Sequence, residues 1–465
     1  MLPGVHTYPQ TMSADWLERA RNHSRLLPPE VRARNGGDQL FALLTEYALT
    51  ERLPIGEMES RQRVRLGNLA RHAVKKSPQF ARRLKDARLT PNDLAEPGGL
   101  QALPPLTREQ IFSAGESLFC REVPPKHGRV QSGSTTGSTG QPIVIRSTDY
   151  SQLHWQAHVL RVHLWHQRDF GDRLAVLRAS LNKDFEQASW GPPCGLLFRT
   201  GPLSAREVRH SVEELLSWFS IFQPQQLLVL PSCLSEIVAE LERTGRRLPG
   251  LRSIRTLSET VSDGLREEVW RVLGLHLQDG YSSMEGGIIA TQCPEAGTYH
   301  VSEQLILEVV DPAGRPCAPG QVGRILFTHL GNYATPLIRY EIGDYAEVGT
   351  PCSCGRTMLP LRRIVGRERN LVMLPDGTRH WPKFGFHRWI EVFPVRQFQF
   401  IQRDRHNITA RLYAHGRPSA AQEAKLVELM QEGLGHPFTI HFEWHNEPLA
   451  RQPGGKFEEF RRTWN

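Results

Sequence analysis

The residues best suited to chemistry begin with a glycine-rich stretch between positions 131 and 142, which reads QSGSTTGSTGQP. Gly133, Gly137 and Gly140 permit positive backbone φ angles and a close approach of the main chain to a ligand. The interleaved hydroxyls and backbone N–H groups can donate hydrogen bonds to anionic oxygens. The stretch lacks the Lys-Ser/Thr pair that closes a Walker A loop, which excludes that type of phosphate site. On these residues alone, a phosphate-binding loop and a flexible turn both remain open.

A second set of residues could bind a metal ion. Three thiols and one imidazole match the ligands of a structural Zn²⁺ site, and a CxC pair between Pro351 and Gly355 is typical of a metal knuckle. The candidate ligands are Cys293, His300, Cys352 and Cys354. Four protein ligands leave no open coordination position, so the metal would be structural rather than catalytic. The alternative is four unrelated loop residues, because the two halves of the set are far apart in sequence.

Alternating strands and helices follow the glycine-rich stretch and would position it. The predicted strands cover 173–177, 226–230, 254–257 and 275–278, and the predicted helices cover 148–166, 205–219, 233–243 and 263–273. This alternation favours a parallel sheet with helices on its faces. Ligands of such sheets bind beyond the carboxyl ends of the strands, where the loops converge.

The flanking segments have different patterns. Residues 14–90 have helical spacing, with Val64, Leu66, Leu69 and Val74 as one apolar stripe, and Thr107 is the predicted N-cap of a short helix. Residues 304–310 and 322–329 read as hairpin strands, and a small α+β unit follows with strands at 398–402, 408–413 and 438–444 and a helix at 420–433.

The 465 residues exceed what one hydrophobic core usually serves. We therefore predict an α/β protein, α+β overall, with mixed sheets and two domains. The large N-terminal domain would span 1–366, including a helical preamble over 1–106, and the small C-terminal domain would span 367–465.

Composition and charge argue against nucleic-acid-binding and membrane proteins. The 57 Lys and Arg residues exceed the 49 Asp and Glu residues by eight, but they are spread along the chain, and no nucleic-acid module signature is present. We therefore predict no nucleic-acid partner, with a basic zinc-containing nucleic-acid binder as an alternative. No apolar run of about 18 residues and no signal-like start occur, so we expect no membrane partner and a cytoplasmic location. Seven cysteines, an odd number, argue for a reducing compartment, and Cys120, Cys194, Cys233 and Cys317 read as core or loop thiols.

Five motifs occur in an order and spacing that resemble the acyl-adenylate-forming superfamily, and within it the phenylacetate-CoA ligase branch. They are TGSTGQP at 136–142, DGYSSMEG at 279–286, TPLIRYEIGD at 335–344, GR at 366–367 and GGK at 454–456. The resemblance covers roughly residues 60–465. It implies a large nucleotide-binding N-terminal domain and a small mobile C-terminal lid.

The resemblance also implies roles for individual residues. ATP phosphates would bind the loop of Thr136, Gly137, Ser138, Thr139 and Gly140. Glu285 would help to hold Mg²⁺ and act in catalysis. The other cofactor-binding residues implied are Ser258, Glu259, Thr260, Asp279, Gly280, Tyr281, Ser282, Asp344 and Arg367. Asp344 suits ribose hydroxyls because an ionised carboxylate accepts two hydrogen bonds at once. Lys456, the second catalytic residue, would bridge the substrate carboxylate and the phosphate oxygens.

Two positions depart from the family pattern. Ile143 stands where a basic residue often follows the glycine loop, and Arg369 stands where the hinge is often acidic. Members of the branch often carry zinc at positions that match the Cys/His set, which favours the zinc hypothesis over unrelated loop residues.

The resulting expectation is an acid–thiol ligase. It would use ATP and Mg²⁺ to convert a small carboxylic acid, aromatic by expectation, into an acyl-adenylate, and would pass the acyl group to coenzyme A. The alternatives are transfer to a carrier protein or an amine, and a degenerate nucleotide-binding homologue without turnover. Homodimers are common among proteins that resemble this chain. Trp155 and Trp190 would line an aryl pocket or pack in the core.

Overall fold

The computed structural model of the protein describes residues 25–134, 142–179, 181, 183–382, 386–451 and 457–464. The predicted phosphate loop from Thr136 to Gly140, Lys456 and the start of the helical preamble lie outside these residues. No helix within the described ranges combines the length and the apolar character needed to cross a membrane.

Short and long helices form the N-terminal part of the chain, as predicted. They are α1 (Pro29–Asn35), α2 (Gly37–Thr50), α3 (Ile55–Lys76), α4 (Pro78–Asp86), α5 (Pro91–Ala95), α6 (Gly99–Ala102) and α7 (Arg108–Ala114), followed by 3₁₀ turns at Gly115–Leu118 and Pro125–His127. Thr107 is the N-cap of α7, as predicted, and it forms a capping box with Gln110. The predicted stripe of α3 is wrong at Val64, which is 60% exposed. Val64 and Leu66 are two residues apart and therefore cannot share a helix face.

A hairpin and a long helix flank the glycine-rich stretch. The hairpin strands β1 (Val130–Ser134) and β2 (Val144–Thr148) are antiparallel, and α8 (Asp149–Trp165) follows directly. Thr148 and Ser151 form a capping box, which explains why the helix starts where the sequence predicts.

A six-stranded sheet forms the centre of the large part of the molecule. Its strands are β3 (Leu174–Arg178), β4 (Phe185–Gln187), β5 (Leu203–Glu207), β6 (Gln226–Val229), β7 (Ser253–Thr256) and β8 (Leu277–Gln278), and the helices between them are α9 (Cys194–Leu197), α10 (Val212–Phe222), α11 (Pro231–Thr244) and α12 (Asp263–Leu273). The order is β4-β5-β3-β6-β7-β8, and all neighbours are parallel except β4 with β5. The predicted parallel sheet is confirmed.

One predicted helix of this region, over 205–219, is wrong in its first half. Residues 203–207 form β5, which pairs with β3 in the sheet interior, and the helix begins only at Val212. Ser211 caps it together with Glu214, so the true start carries the usual N-terminal signal. Pairing with β3 therefore outweighs the local helical spacing of this segment.

A seven-stranded antiparallel sheet follows. Its strands are β9 (Gly280–Ser283), β10 (Gly287–Gln292), β11 (Tyr299–Val301), β12 (Leu305–Val310), β13 (Val322–His329), β14 (Tyr340–Val348) and β15 (Pro360–Arg367). Their order is β12-β13-β14-β15-β11-β10-β9. The predicted hairpin strands are β12 and β13, which confirms that prediction.

The C-terminal unit begins after β15 with a 3₁₀ turn at Glu368–Asn370. Its elements are β16 (Val372–Met373), β17 (Arg379–His380), α13 (Phe386–Val392), β18 (Val395–Gln402), β19 (Asn407–Ala414), α14 (Ala420–Leu434), β20 (Thr439–His445) and β21 (Phe460–Arg462). The sheet order is β20-β19-β18-β21, and α14 packs on it with its own buried core. This arrangement is the predicted small α+β unit.

Candidate functional site

The predicted nucleotide-binding segments meet where β7, β8 and β9 end or begin. Ser258, in the turn after β7, has a φ of +70°, which is rare for a residue with a side chain. The turn also approaches the end of β15, because a Cβ on Gly366 would lie 3.2 Å from Thr260 Oγ1. The turn and the close approach of the Thr260 hydroxyl to Gly366 therefore place the 258–260 segment beside the start of the C-terminal unit.

Tyr281, Asp344 and Arg367 form one connected group, although they are predicted from three different motifs. The Tyr281 hydroxyl donates to Asp344 Oδ2 at 2.6 Å, and Arg367 Nε donates to Asp344 Oδ1 at 3.2 Å. Asp344 and Arg367 are register partners on β14 and β15. Burial and the Asp344 carboxylate hold the pKa of Tyr281 well above its ordinary value, so the phenol keeps its proton and remains a donor.

Asp279 has a carboxylate that is already occupied by protein donors. Thr256 Oγ1 donates to it at 2.8 Å and the Tyr299 hydroxyl at 2.7 Å, while Arg266 lies 3.8 Å away. Burial raises the pKa of Asp279. The side chain thus braces β7 and β11 and fixes the start of the strand that carries Gly280, Tyr281 and Ser282.

Glu285 lies in the turn between β9 and β10 and is 7% exposed. The neighbouring Met284 is exposed, and its Sδ lies 3.3 Å from where a Cβ of Gly133 would be. Gly133 is on β1, which leads into the predicted phosphate loop. The described flank of that loop therefore contacts the segment that contains Glu285.

Glu259 makes a contact that sequence reasoning did not predict. Its Oε2 accepts from Ser232 N at 2.9 Å, and its Oε1 accepts from Phe457 N at 2.8 Å. Phe457 is the residue after Lys456. Burial raises the pKa of Glu259. The carboxylate predicted to help frame the adenine therefore also binds the chain next to the predicted catalytic lysine.

Arg451 reinforces this contact from the other side of the 452–456 segment. Its Nη1 donates to Ser232 Oγ at 2.7 Å, and its Nη2 lies 3.1 Å from Glu236 Oε1. Its Nη1 is also 3.8 Å from Glu259. These contacts join positions about two hundred residues apart, so no local sequence pattern could indicate them.

The two departures from the family pattern have clear surroundings. Ile143 is 1% exposed and packs in the core under the antiparallel sheet. Arg369 forms an ion pair with Glu458, within the C-terminal unit. Ile143 therefore contributes to core packing, and Arg369 contributes an ion pair inside the C-terminal unit.

The Cys/His set comes together as predicted. The ligand atoms of Cys293, His300, Cys352 and Cys354 all lie within 4.8 Å of one another. The Cys352 and Cys293 sulfurs are 3.8 Å apart, and Cys354 Sγ is 3.2 Å from His300 Nε2. Two thiolates bound tetrahedrally at about 2.3 Å from one zinc ion would be about 3.8 Å apart. The donor set and its spacing thus fit a tetrahedral site.

The protonation of this cluster reflects its thiols. Hydrogen bonds from Cys293 and Cys352 lower the pKa of Cys354. Burial acts to lower the pKa of His300, but hydrogen bonds with Cys352 and Cys354 raise it to about 9. The cluster therefore favours a thiolate, which is the form that binds metal ions.

A network of buried polar side chains connects α2, α8 and the turn after β11. The Tyr47 hydroxyl is 2.5 Å from His154 Nδ1, and its ring stacks on His158 at 4.6 Å. His158 Nε2 is 3.3 Å from Glu303, which also accepts from Arg161 at 2.6 Å. Burial lowers the pKa of His158 to about 4. Sequence reasoning missed this network because its members come from α2, α8 and the turn after β11, which are far apart in the sequence.

His329 belongs to the same region and predicts a pH-dependent change in stability. Burial and Arg65 lower its folded-state pKa to about 4, against about 6.5 in the unfolded chain. As the pH falls, the unfolded state binds the proton first, so the stability contribution is complete above pH 6.5 and declines toward pH 4. We expect His329→Gln to gain on the order of 3 kcal/mol relative to wild type between pH 7 and pH 4. Urea unfolding across this range measures it, and a pH-independent difference would contradict the assignment.

The two tryptophans considered for an aryl pocket differ in environment. Trp190 is buried, and its Nε1 donates to Asp172 O at 2.9 Å, which is a core position. Trp155 is 41% exposed and lies 3.7 Å from where a Cβ of Gly287 would be. Trp155 therefore lies next to the turn that contains Glu285, whereas Trp190 packs in the core.

No protein-family model matches the chain. The phenylacetate-coenzyme A ligase of Escherichia coli is 27% identical over 347 residues, which cover 70% of this chain and 74% of that protein. The phenylacetate-coenzyme A ligase of Thermus thermophilus is 26% identical over 346 residues, covering 71% and 75%. A crystal structure of 2-hydroxyisobutyryl-CoA ligase in the postadenylation state matches with a TM-score of 0.70 at 18% identity, covering 89% of this chain and 91% of that chain.

Proposed function

Because the chain has the fold of the adenylate-forming ligases and resembles phenylacetate-CoA ligases, we propose that it is an AMP-forming acid–thiol ligase. It activates a small carboxylic acid with ATP and transfers the acyl group to coenzyme A. The observation that carries the proposal is the joined group of Tyr281, Asp344 and Arg367. Three separate motifs supply these residues, and their convergence is what a nucleotide site requires.

In this proposal, individual residues have distinct tasks in the reaction. Asp344 presents carboxylate oxygens to the ribose hydroxyls, and its hydrogen bonds with Tyr281 and Arg367 fix its orientation. Glu285, buried beside the hairpin, would hold Mg²⁺, which would supply charge neutralisation to the phosphates. Lys456 stabilises negative charge on the carboxylate and phosphate oxygens as they react. The contacts of Glu259 and Arg451 hold both ends of the segment that carries this lysine.

The Cys/His set holds a structural Zn²⁺ in our proposal. The four donor atoms would complete the shell of a structural zinc ion and would leave no position for substrate. Its task is to tie the turn after β10, strand β11 and the 352–354 knuckle together.

We place the boundary between the two domains after Gly366 and treat 367–465 as a lid. The ion pair of Arg369 with Glu458 lies within that lid and leaves Asn370 and its neighbours to absorb backbone rotation. In this conformation the lid contacts the large domain through Arg451 and Phe457.

Replacing Asp344 tests the nucleotide site. We expect Asp344→Asn to raise the KM for ATP by about tenfold to a hundredfold, because hydrogen bonds to charged groups contribute about 1.5–3 kcal/mol. Tyr281→Phe removes only one donor to the carboxylate and should have a smaller effect. Steady-state kinetics with varied ATP measures both, and an unchanged KM in Asp344→Asn would contradict the assigned role.

Mass spectrometry of the products identifies the acyl acceptor. With ATP, Mg²⁺, an aryl acid and coenzyme A, we expect the corresponding thioester. Formation of an acyl-adenylate without thioester would instead favour a carrier protein or an amine as acceptor. A purified protein that binds ATP but forms no adenylate with any acid would favour the degenerate homologue.

A further inference from the structure

Two arginines, Arg168 buried and Arg255 partly buried, lie on one face of the six-stranded sheet. Residues Val176, Leu228 and Arg255 are register partners on β3, β6 and β7, and Arg255 is in turn the partner of Gln278 on β8. Val176 and Leu228 pack in the core on the α8 and α9 side, whereas Ile254, the neighbour of Arg255, packs in the core on the opposite side. Arg255 therefore points to the side of the sheet that α8 covers.

Arg168 reaches the same place from the end of α8. Its Nε donates to Gln278 Oε1 at 3.0 Å, and its Nη2 bonds to the same oxygen. Ser253 Oγ also donates to that oxygen, at 3.3 Å. Arg168 is only 6% exposed, and its Nη1 has no hydrogen-bond partner among the described residues. His163, 3% exposed, likewise has a buried Nδ1 for which the described chain offers no partner.

Neither guanidinium has a negative partner in the part of the chain that the structure describes. Gln278, the acceptor for Arg168, is neutral. Burial raises the pKa of the nearby Cys194 thiol to about 12, so this group is uncharged at pH 7. Burial, followed by the Arg255 charge, lowers the pKa of Arg168 well below its ordinary value. Burial lowers the pKa of Arg255 to about 10, so Arg255 remains a cation. A buried cation without a counter-ion is costly, and proteins normally pair such a charge with an anion.

The position of these cations relates them to the nucleotide site. Arg255 is three residues before Ser258, and Gln278 directly precedes Asp279. Both strands therefore lead into segments proposed to frame the nucleotide. Arg255 is the next-to-last residue of β7 and Gln278 is the last residue of β8, and ligands of parallel sheets bind beyond such strand ends.

We propose that the acid activated by this protein carries a second anionic group, which binds Arg255 and Arg168 while the reacting carboxylate lies at the nucleotide segments. This inference rests on the proposed ligase function and narrows its substrate class. The second group is a carboxylate, sulfonate or phosphonate, because a guanidinium donates a pair of parallel hydrogen bonds to each of them. Gln278 and Ser253 hold Arg168 in the orientation that leaves Nη1 available.

A panel of matched acids tests the inference by ATP–pyrophosphate exchange. Each pair consists of an arylacetic acid and its derivative with a ring carboxylate, sulfonate or phosphonate, with ortho, meta and para isomers and aliphatic dicarboxylates included. For at least one derivative, we expect wild-type kcat/KM to exceed that of the singly charged parent by about tenfold or more. The three derivative classes show which anion is accepted.

Variants then assign the preference to Arg255. Arg255→Gln should reduce the ratio between doubly and singly charged acids to near one, and Arg255→Lys should restore part of it. Arg247→Gln removes an exposed arginine in the loop before β7 and should leave the ratio unchanged. Thermal unfolding of each variant verifies that it is folded, and the wild-type panel tests the inference without any variant.

Several results would overturn the inference. If wild-type protein catalyses exchange no faster with any doubly charged acid than with its singly charged parent, the inference is overturned and the ligase function stands. An equal loss with every acid in folded Arg255→Gln would also do so, because Arg255 would then bind the reacting carboxylate. Absence of exchange with every acid, singly or doubly charged, would overturn the ligase function and this inference together.

Discussion

Lys456→Ala is expected to lower acid-dependent ATP–pyrophosphate exchange by about 100-fold to 1000-fold, because one donor aimed at developing negative charge contributes about that much to a transition state. ATP binding should remain within about threefold of wild type, since Asp344, Tyr281 and Arg367 are unchanged. Isothermal titration measures the binding and radiolabel exchange measures the activity. The expectation is supported by the anchoring of Arg451 and Phe457 on either side of this lysine.

Lys425→Ala is the matched control for that experiment. Lys425 is an exposed lysine on α14 of the same C-terminal unit and pairs with Glu428. Its replacement should leave both exchange and ATP binding at wild-type levels. Wild-type exchange in Lys456→Ala would overturn the role assigned to this residue.

Cys352→Ser is expected to abolish stoichiometric zinc binding and to lower the free energy of unfolding by about 4 kcal/mol or more, as losses of structural metal sites do. Cys352 is the least buried thiol of the cluster, so lost packing contributes little to this effect. Metal analysis of purified protein and urea unfolding measure the two quantities. Cys317→Ser, at another half-buried cysteine outside the cluster, is the matched control. Less than about half an equivalent of zinc in wild type, unchanged in Cys352→Ser, would contradict the proposed metal.

Local signals were sufficient for many elements of the fold. The helix predicted over 263–273 has those bounds in the structure because Ser262 caps its start and Gly274 ends it in the left-handed conformation. The 205–219 segment failed because β3 recruits residues 203–207 as a strand partner. The mixed polar and apolar residues of this segment do not indicate a strand, which depends on its pairing with β3.

Some residues of the candidate site were predictable from sequence motifs, whereas others depend on contacts between distant parts of the chain. Tyr281, Asp344 and Arg367 belong to recognisable motifs, and the fold brings them into hydrogen-bonding distance. The contact between Glu259 and Phe457 depends on how the C-terminal unit lies against α11, which no local pattern encodes. The uncompensated Arg168 and Arg255 were equally hidden, because arginine in a sequence normally indicates an exposed residue.

The central claim is adenylation of a carboxylic acid, and acid-dependent ATP–pyrophosphate exchange by the purified full-length protein tests it most directly. With Mg²⁺ and a panel of singly and doubly charged aryl acids, the ligase assignment predicts exchange that requires both ATP and a particular acid. Exchange that is absent with every acid, from a folded protein that still binds ATP, would contradict it.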